Sequence, residues 1–260
     1  MKGEPILRIE NISKKFGGVQ ALKNVSFTVG YKEIVGLVGD NGAGKSTLIN
    51  ILMGIFPPDS GKIYYRGEQI QFSSPSESRA AGIEPVYQKI ALVNMMNLWR
   101  NFFLGREITH KIGPFSFLDK KKMGKDCVEI MRDIGVHVRS ANEGVSFLSG
   151  GERQSICIGR CLYANAKLLL LDEPTAALSV KETEKVLTTI TNLRKKGASE
   201  IIVAHNIYHI YPVVDKFVVL DRGIKIKEVN KKDVSPKDVI EVIRTGRIGT
   251  SMKKISKVCV

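Results

Sequence analysis

The sequence predicts an α/β fold with a parallel β-sheet, an N-terminal antiparallel β layer and an inserted α-helical lobe. The segments EIVGLVG, KLLLLDE and EIIVAHN are near-continuous apolar runs, which are typical of strands buried on both faces of a parallel sheet. The segment VSFTV alternates apolar and polar residues, as a half-buried antiparallel strand does, and LRIENI and KIYYRG have similar patterns. A chain of 260 residues is long enough to bury a core of this kind.

Helix signals fill the sequence between these runs. Ser74 is followed by Pro75 and, three residues after the serine, by Glu77, which predicts a capped helix start, and Gly82 predicts its end. Two further helices are predicted at about residues 121–134 and 152–164. Together these patterns predict a helical lobe at about residues 88–164, attached to the α/β core.

The composition limits the choice of partners. The net charge of +14 favours an anionic partner, whether nucleotide, nucleic acid or an anionic membrane surface. No apolar run reaches the roughly 18 to 20 residues that span a bilayer, and the segment MKGEPILRIENISKK has no apolar stretch typical of a secretory signal. We therefore expect a cytoplasmic chain.

The sequence has four cysteines and no CxxC pair. The cysteines are Cys127, Cys157, Cys161 and Cys259. Buried thiols in a reducing compartment are favoured over a metal site. The histidines His110, His137 and His209 are expected to be structural.

A phosphate-binding loop lies between an apolar strand and the helix-like segment STLINILMG. The match to GxxxxGK[ST] predicts a P-loop NTPase core, in which backbone N–H groups and the following helix N-terminus hold phosphate. Lys45 is expected to reach the β- and γ-phosphates, and Ser46 to bind magnesium. The residues predicted to contact the nucleotide here are Gly39, Asp40, Asn41, Gly42, Ala43, Gly44, Lys45, Ser46 and Thr47.

Three polar residues follow the predicted parallel strands. Asp172 ends the strand LLLLD, where a carboxylate can hold magnesium beside a phosphate loop, and Glu173 next to it can act as a base toward a water molecule. His205 follows the strand EIIVA, a position where α/β proteins place ligand-binding residues.

A second anion-binding turn is predicted in the segment LSGGERQ, residues 148–154. Ser149, Gly150 and Gly151 lead into a helix whose N-terminus suits an anion, although no lysine accompanies them. Ser149 also fits a simple helix cap, which leaves the two glycines without an explanation.

Five motifs in this order resemble those of the ATP-binding cassette subunits of ABC transporters. They are GDNGAGKST (Walker A), Gln88 (Q-loop), LSGGE (signature), LLLLDEP (Walker B) and His205 (H-loop). The resemblance covers about residues 7–229. It implies an ABC ATPase domain at residues 1–230, followed by a basic C-terminal tail at residues 231–260, which is either a solvated helix or a contact with anionic lipid.

The resemblance implies a function for the second turn. In this family two cassettes face each other head to tail, and the signature of one binds the γ-phosphate of ATP held by the other. Ser149, Gly150 and Gly151 are therefore expected to contact the nucleotide of a second copy of this chain. Gln88 is expected to contact magnesium and the attacking water, and Phe16 to stack on adenine, unless it is a core aromatic residue.

One position departs from the family pattern. ABC cassettes commonly continue after Walker B with ALD, whose aspartate faces the other subunit, whereas this chain has Ser179 there. Ser179 and Glu182 form an S-x-x-E capping box, so a helix start is still predicted. The effect of this change on coupling between the two sites is left open.

Segments in the middle lobe resemble cassettes of ribose- and fructose-type sugar importers, which typically contain a stretch like NFFLGRE. The resemblance implies an ATPase, with ATP and Mg²⁺ as cofactors, at the cytoplasmic face of the inner or plasma membrane. Its expected partners are membrane-embedded permease subunits and, through them, an extracytoplasmic sugar-binding protein. Trp99, Phe102 and Phe103 either contact the permease or pack inside the lobe.

Three other functions share some of these sequence features. An ABC importer of another substrate differs only in its permease. A soluble ABC ATPase acting on ribosomes or nucleic acid is compatible with the net charge, but the long coiled-coil insertion and second cassette of such proteins are missing from this sequence. A plain P-loop kinase or GTPase leaves LSGGE unexplained.

Overall fold

The computed structural model describes residues 4–88 and 91–246. In chain order the strands are β1 (Leu7–Phe16), β2 (Val19–Val29), β3 (Ile34–Val38), β4 (Ser60–Tyr65), β5 (Glu68–Ile70), β6 (Ile83–Val86), β7 (Thr109–Ile112), β8 (Phe115–Leu118), β9 (Leu168–Asp172), β10 (Ser199–Val203), β11 (Lys216–Asp221) and β12 (Ile224–Asn230). The α-helices are α1 (Lys45–Leu52), α2 (Pro75–Ala80), α3 (Leu98–Phe103), α4 (Lys120–Asp133), α5 (Gly150–Tyr163), α6 (Val180–Lys195), α7 (Ile207–Ile210) and α8 (Pro236–Thr245).

The central sheet has the strand order β12-β11-β3-β10-β9-β6, and only the edge strand β12 is antiparallel to its neighbour. The predicted apolar strands β3 and β10 are buried along their whole length, which explains their lack of alternation. Val203 pairs with Leu37 on one side and with Asp172 on the other. The carboxyl ends of β3, β10 and β9 therefore meet at one edge of the sheet.

The predicted antiparallel layer is the four-stranded sheet β2-β1-β4-β5. The helix α1 lies between the two sheets, because Leu48 and Leu52 share one apolar cluster with Leu7 of β1 and Leu37 of β3. This packing fixes the helix that follows the phosphate loop. The predicted fold class is thus confirmed.

The middle of the chain contains the predicted helices and one element that sequence analysis missed. The hairpin β7–β8 projects with Phe115 66% exposed, so its apolar residues do not mark a core strand. Trp99, Phe102 and Phe103 are buried, and the ring of Phe103 lies 4.7 Å from that of Tyr163. These three aromatic residues therefore pack inside the lobe, and the permease-contact alternative is wrong for them.

The segment interpreted as a basic tail begins with a packed helix. Ser235 and Asp238 form a capping box at the start of α8, and Val239 and Val242 are buried. The remaining basic residues of this segment, in residues 247–260, lie outside the described residues. No helix in the described ranges is long and apolar enough to cross a membrane.

Candidate nucleotide-binding site

The phosphate loop needs glycine at two positions because backbone atoms of other segments lie against it. Gly39 has φ 149°, and a β-carbon there would lie 2.1 Å from the carbonyl oxygen of Leu220. Gly44, the N-cap of α1, has φ 98°, and its β-carbon would lie 2.6 Å from the carbonyl oxygen of Ala21. Within the described residues no side chain caps this helix, so its first turn faces the cleft without a competing acceptor from a capping side chain.

Lys45 is folded back along the loop. Its Nζ donates to the carbonyl oxygens of Gly39 and Asp40, each at 2.8 Å. Burial lowers the pKa of Lys45, while the negative charges of Glu173, Asp40 and Asp172 oppose that shift. A bound phosphate adds negative charge beside this ammonium group and favours its protonated form.

Glu173 is the point where three distant motifs meet. His205 Nε2 lies 2.8 Å from Glu173 Oε1, and Gln88 Nε2 donates to Glu173 Oε2 at 3.2 Å. Glu173 has φ 48°, in the left-handed region that glutamate rarely adopts, and its N–H donates to the carbonyl oxygen of Val203 at 2.9 Å. Strained backbone of this kind is concentrated at functional sites.

The residues predicted to hold magnesium fit that ion. A hydroxyl, a carboxylate and a carboxamide, on Ser46, Asp172 and Gln88, supply the oxygen ligands that Mg²⁺ prefers. Burial and the neighbouring Glu173 raise the pKa of Asp172, although Lys45 and His205 oppose this. An added cation would relieve that unfavourable environment. Within residues 4–88 and 91–246 no three His, Cys, Asp or Glu side chains cluster as a metal site.

A cleft joins the phosphate loop to Glu173 and His205. Its lining consists of residues Val19, Gln20, Ala21, Asn41, Gly42, Ala43, Gly44, Lys45, Ser46, Thr47, Glu173, Val203 and His205. Phe16 is not part of this lining among the described residues. Phe16 is 45% exposed and its ring packs edge-on to that of Phe56 at 5.1 Å, so stacking on adenine stays a prediction.

The signature turn, which is the LSGGE segment at residues 148–152, is built differently from the phosphate loop. The Ser149 hydroxyl accepts from the Glu152 N–H at 3.3 Å, and the Glu152 carboxylate accepts from the Ser149 N–H at 2.9 Å, which caps α5. A β-carbon on Gly151 would lie 2.9 Å from Cβ of Glu182, a residue of α6. The contact with α6 therefore explains Gly151 within one chain, and sequence analysis missed it.

Glu182 belongs to the predicted capping box of α6, which the structure confirms. The Ser179 side chain accepts from the Glu182 N–H at 3.4 Å, while the Glu182 carboxylate accepts from the Ser179 N–H at 3.0 Å. The same carboxylate also accepts from the Gly151 N–H at 3.2 Å. The S-x-x-E spacing pointed to the cap, but only the fold brings the carboxylate to the signature turn.

The three cysteines in the described ranges are free. Cys127 and Cys161 are buried and Cys157 is half-buried. Burial raises the pKa of Cys127 to about 12 and also raises those of Cys157 and Cys161. These thiols are therefore protonated at neutral pH and poor nucleophiles.

A phosphate loop, a strand-end glutamate and a histidine on one cleft define a P-loop ATPase, and the capped LSGGE turn places it among the ATP-binding cassettes. The ABC transporter family model matches residues 22–176, more than half of the chain. The chain belongs to this family and is an ATP-binding ATPase.

Comparison with known proteins gives matches along nearly the whole chain. The chain is 42% identical to the xylose/arabinose import ATP-binding protein XylG of Sulfolobus acidocaldarius, over 94% of this chain and 96% of that protein. It is 38% identical to the fructose import ATP-binding protein FrcA of Rhizobium meliloti, over 92% and 94%. The ribose import ATP-binding protein RbsA of Caldanaerobacter subterraneus is 36% identical over 96% of this chain, but only 49% of that protein is covered.

Solved structures with the same fold are ATP-binding cassettes. A nucleotide-free cassette from an ABC transporter superposes with a TM-score of 0.80 at 25% identity, over 95% of this chain and all of that one. The cassette MJ0796, in a dimeric post-hydrolysis state bound to ADP and Pi, superposes with a TM-score of 0.69 at 26% identity, over 86% and 98%.

Proposed function

We propose that this chain is the ATP-hydrolysing subunit of an importer for a monosaccharide, working as a homodimer beneath membrane-embedded permease subunits. The similarity to the xylose/arabinose and fructose import proteins, which extends over more than nine-tenths of each chain, supports the substrate class. The main support for the ATPase chemistry is that Gln88 and His205 both contact the carboxylate of Glu173.

Glu173 is the proposed base. Its two oxygens are oriented by His205 and Gln88, so one carboxylate can accept a proton from a water aligned with the γ-phosphate. Lys45 would contact the β- and γ-phosphates, and His205 would donate to the γ-phosphate as negative charge develops. Magnesium, when bound, would neutralise phosphate charge; Ser46, Asp172 and Gln88 would hold it.

A composite site completes the proposal. Ser149, Gly150 and Gly151 of one chain would contact the γ-phosphate bound by the phosphate loop of the second copy. This assignment is supported by the position of Ser149 at a 14-residue helix N-terminus, which favours an anion. ATP binding would close the dimer and hydrolysis would reopen it, which drives the permease.

The proposed permease contact is a groove between the core and the lobe, because Trp99, Phe102 and Phe103 are buried. The groove is lined in part by Tyr87, Leu104 and Arg160, together with Arg106, which pairs with the buried Glu84. Tyr87 is 41% exposed and directly precedes Gln88. A permease segment seated here would therefore act on the residue that contacts Glu173. Through the permease, an extracytoplasmic sugar-binding protein would supply substrate.

Purification of the tagged native chain from solubilised membranes tests this function. We expect a polytopic permease and a sugar-binding protein to co-purify, and the chain to be held at the cytoplasmic face of the membrane. Recovery of ribosomal proteins or nucleic acid without a permease would contradict the importer function. Salt-sensitive binding to nucleic acid would then be measured, because a steep salt slope indicates many phosphate contacts.

A further inference from the structure

A carboxylate of the chain already lies on the signature turn. Glu182 Oε1 accepts from the Gly151 N–H at 3.2 Å, and the Gly150 N–H also contributes to stabilising this carboxylate. The other two N–H groups of the turn are used as well, since Ser149 donates to Glu152 and Glu152 donates to Ser149. In the described structure the N–H groups of Ser149, Gly151 and Glu152 therefore each have an acceptor from the same chain.

The negative charge at this turn is permanent at neutral pH. Hydrogen bonds from the Ser179 backbone and hydroxyl, and then from the Gly151 N–H, lower the pKa of Glu182. An ionised carboxylate and a terminal phosphate would compete for the same N–H, and their like charges repel at such short range. The turn thus holds an anion of its own where the proposed function places the anion of a second chain.

The two oxygens of Glu182 are bound unequally. Oε2 accepts from the Ser179 N–H at 3.0 Å and from the Ser179 hydroxyl at 2.8 Å. Oε1 has the longer bond to Gly151, at 3.2 Å. Rotation of the carboxylate can therefore release Gly151 while Oε2 keeps the cap of α6.

We propose that Glu182 is an internal placeholder anion, which occupies the Gly151 N–H until the terminal phosphate of ATP bound to the second chain displaces it. The proposal rests on the composite site of the proposed function. Glu182 is a positioning residue in this scheme, because it sets the ATP concentration at which the dimer closes without touching the reacting water. Its removal should ease closure rather than impair it.

The test uses the full chain with Glu173→Gln, in which hydrolysis is blocked, and compares it with the same chain carrying Glu182→Gln. Glutamine can keep the cap as an acceptor but removes the charge. The ATP concentration at half-maximal dimerisation, measured by sedimentation in the presence of Mg²⁺, is expected to fall about three- to tenfold. Binding of ATP to the dilute monomer should stay unchanged, because the chain's own phosphate loop is untouched.

Asp238→Asn is the matched control. It changes the equivalent carboxylate of the α8 capping box, which contacts no residue of the signature turn in the described structure. The control calibrates the loss of thermal stability from a weakened cap and should leave ATP-driven dimerisation unchanged. If Glu182 only caps α6, the two variants will behave alike.

Two results would overturn the proposal and are distinguishable. If Glu173→Gln dimerises with ATP but Glu182→Gln leaves the midpoint unchanged or raises it, the placeholder is wrong while the composite site stands. If Glu173→Gln stays monomeric at saturating ATP, the composite site of the proposed function fails, and this inference fails with it.

Discussion

Two helix N-termini in this chain match anion-binding patterns, yet they are prepared in opposite ways. The helix α1 begins at Gly44 without a side-chain cap, and the buried cation Lys45 lies beside it. The helix α5 begins at a capped Ser149, and the carboxylates of Glu152 and Glu182 satisfy its N–H groups. The first turn can take phosphate as it stands, whereas the second must give up an anion first.

A glycine-rich helix start therefore does not define a phosphate site by itself. Glycine at position 39 is required by the approach of the Leu220 backbone, and glycine at position 151 by the approach of Glu182. Close packing thus explains glycine in both turns. What separates them is the acceptors of their N–H groups: no capping side chain accepts at the start of α1 in the described structure, whereas carboxylates accept from N–H groups of the second turn.

Removal of the proposed base should have the largest effect, and it should affect ATP hydrolysis without affecting ATP binding at either turn. Glu173→Gln should lower ATP hydrolysis by about 10²- to 10⁴-fold, because it removes the proposed base. ATP binding and ATP-driven dimerisation should persist, since neither turn is altered. Phosphate release and nucleotide titration measure the two properties. Normal turnover would contradict the role of Glu173.

Ser149→Asp tests the second turn alone. Aspartate is a good helix cap, so α5 should still form, but its charge should repel the phosphate of the second chain and lower hydrolysis by roughly 10²-fold. This variant is preferable to Gly151→Asp, because a β-carbon at Gly151 would lie 2.9 Å from Cβ of Glu182 and would disturb the packing of α5 on α6.

Ser235→Asp, the same change at the cap of α8, is the control for this variant. It should leave hydrolysis intact. Full activity of Ser149→Asp would show that the signature turn does not contact phosphate.

Lys45→Ala tests the first turn. We expect ATP affinity to fall by about 10- to 100-fold, because a hydrogen bond to a charged group contributes about 1.5–3 kcal/mol. Titration with a fluorescent nucleotide measures the change. Lys196→Ala, which removes a surface partner of Asp133, should bind ATP normally. Equal affinities of the two variants would contradict the role of Lys45.

The smallest effect is expected at a buried carboxylate that, unlike that of Glu182, has no hydrogen-bond partner within the described residues. Glu200 is fully buried in β10, neither of its carboxylate oxygens has a hydrogen bond within the described residues, and burial raises its pKa well above the usual value. Because the folded-state pKa of Glu200 is raised, its contribution to stability is fully present below its unfolded-state pKa of about 4.3. This contribution is lost as the pH rises through the folded-state pKa.

Glu200→Gln should therefore increase the free energy of unfolding at pH 7 by about 1–3 kcal/mol relative to the natural chain, with a smaller difference at pH 4.5. Urea unfolding at both pH values measures this, and Glu129→Gln at an exposed position of α4 is the control. Parallel pH profiles for Glu200→Gln and the natural chain would contradict the assignment.

The strand-end side of the site was predictable from sequence because local patterns determine it. Apolar runs located β3, β9 and β10, and parallel strands bring the residues after them to one edge. The approach of Glu182 to Gly151 was not predictable, since it depends on how α5 and α6 pack. The exposed hairpin β7–β8 was missed for a related reason, because its four-residue strands carry too little periodicity.

In the proposed dimer, one ATP is held by the first turn of one chain and the second turn of another. In the Glu173→Gln background, Lys45→Ala and Ser149→Asp chains are mixed with Mg-ATP and their association is measured by sedimentation. Each variant alone should remain monomeric, whereas the mixture should form a heterodimer, because it contains one intact pair of turns. If the mixture stays monomeric while the Glu173→Gln chain alone dimerises, this shared ATP site is contradicted.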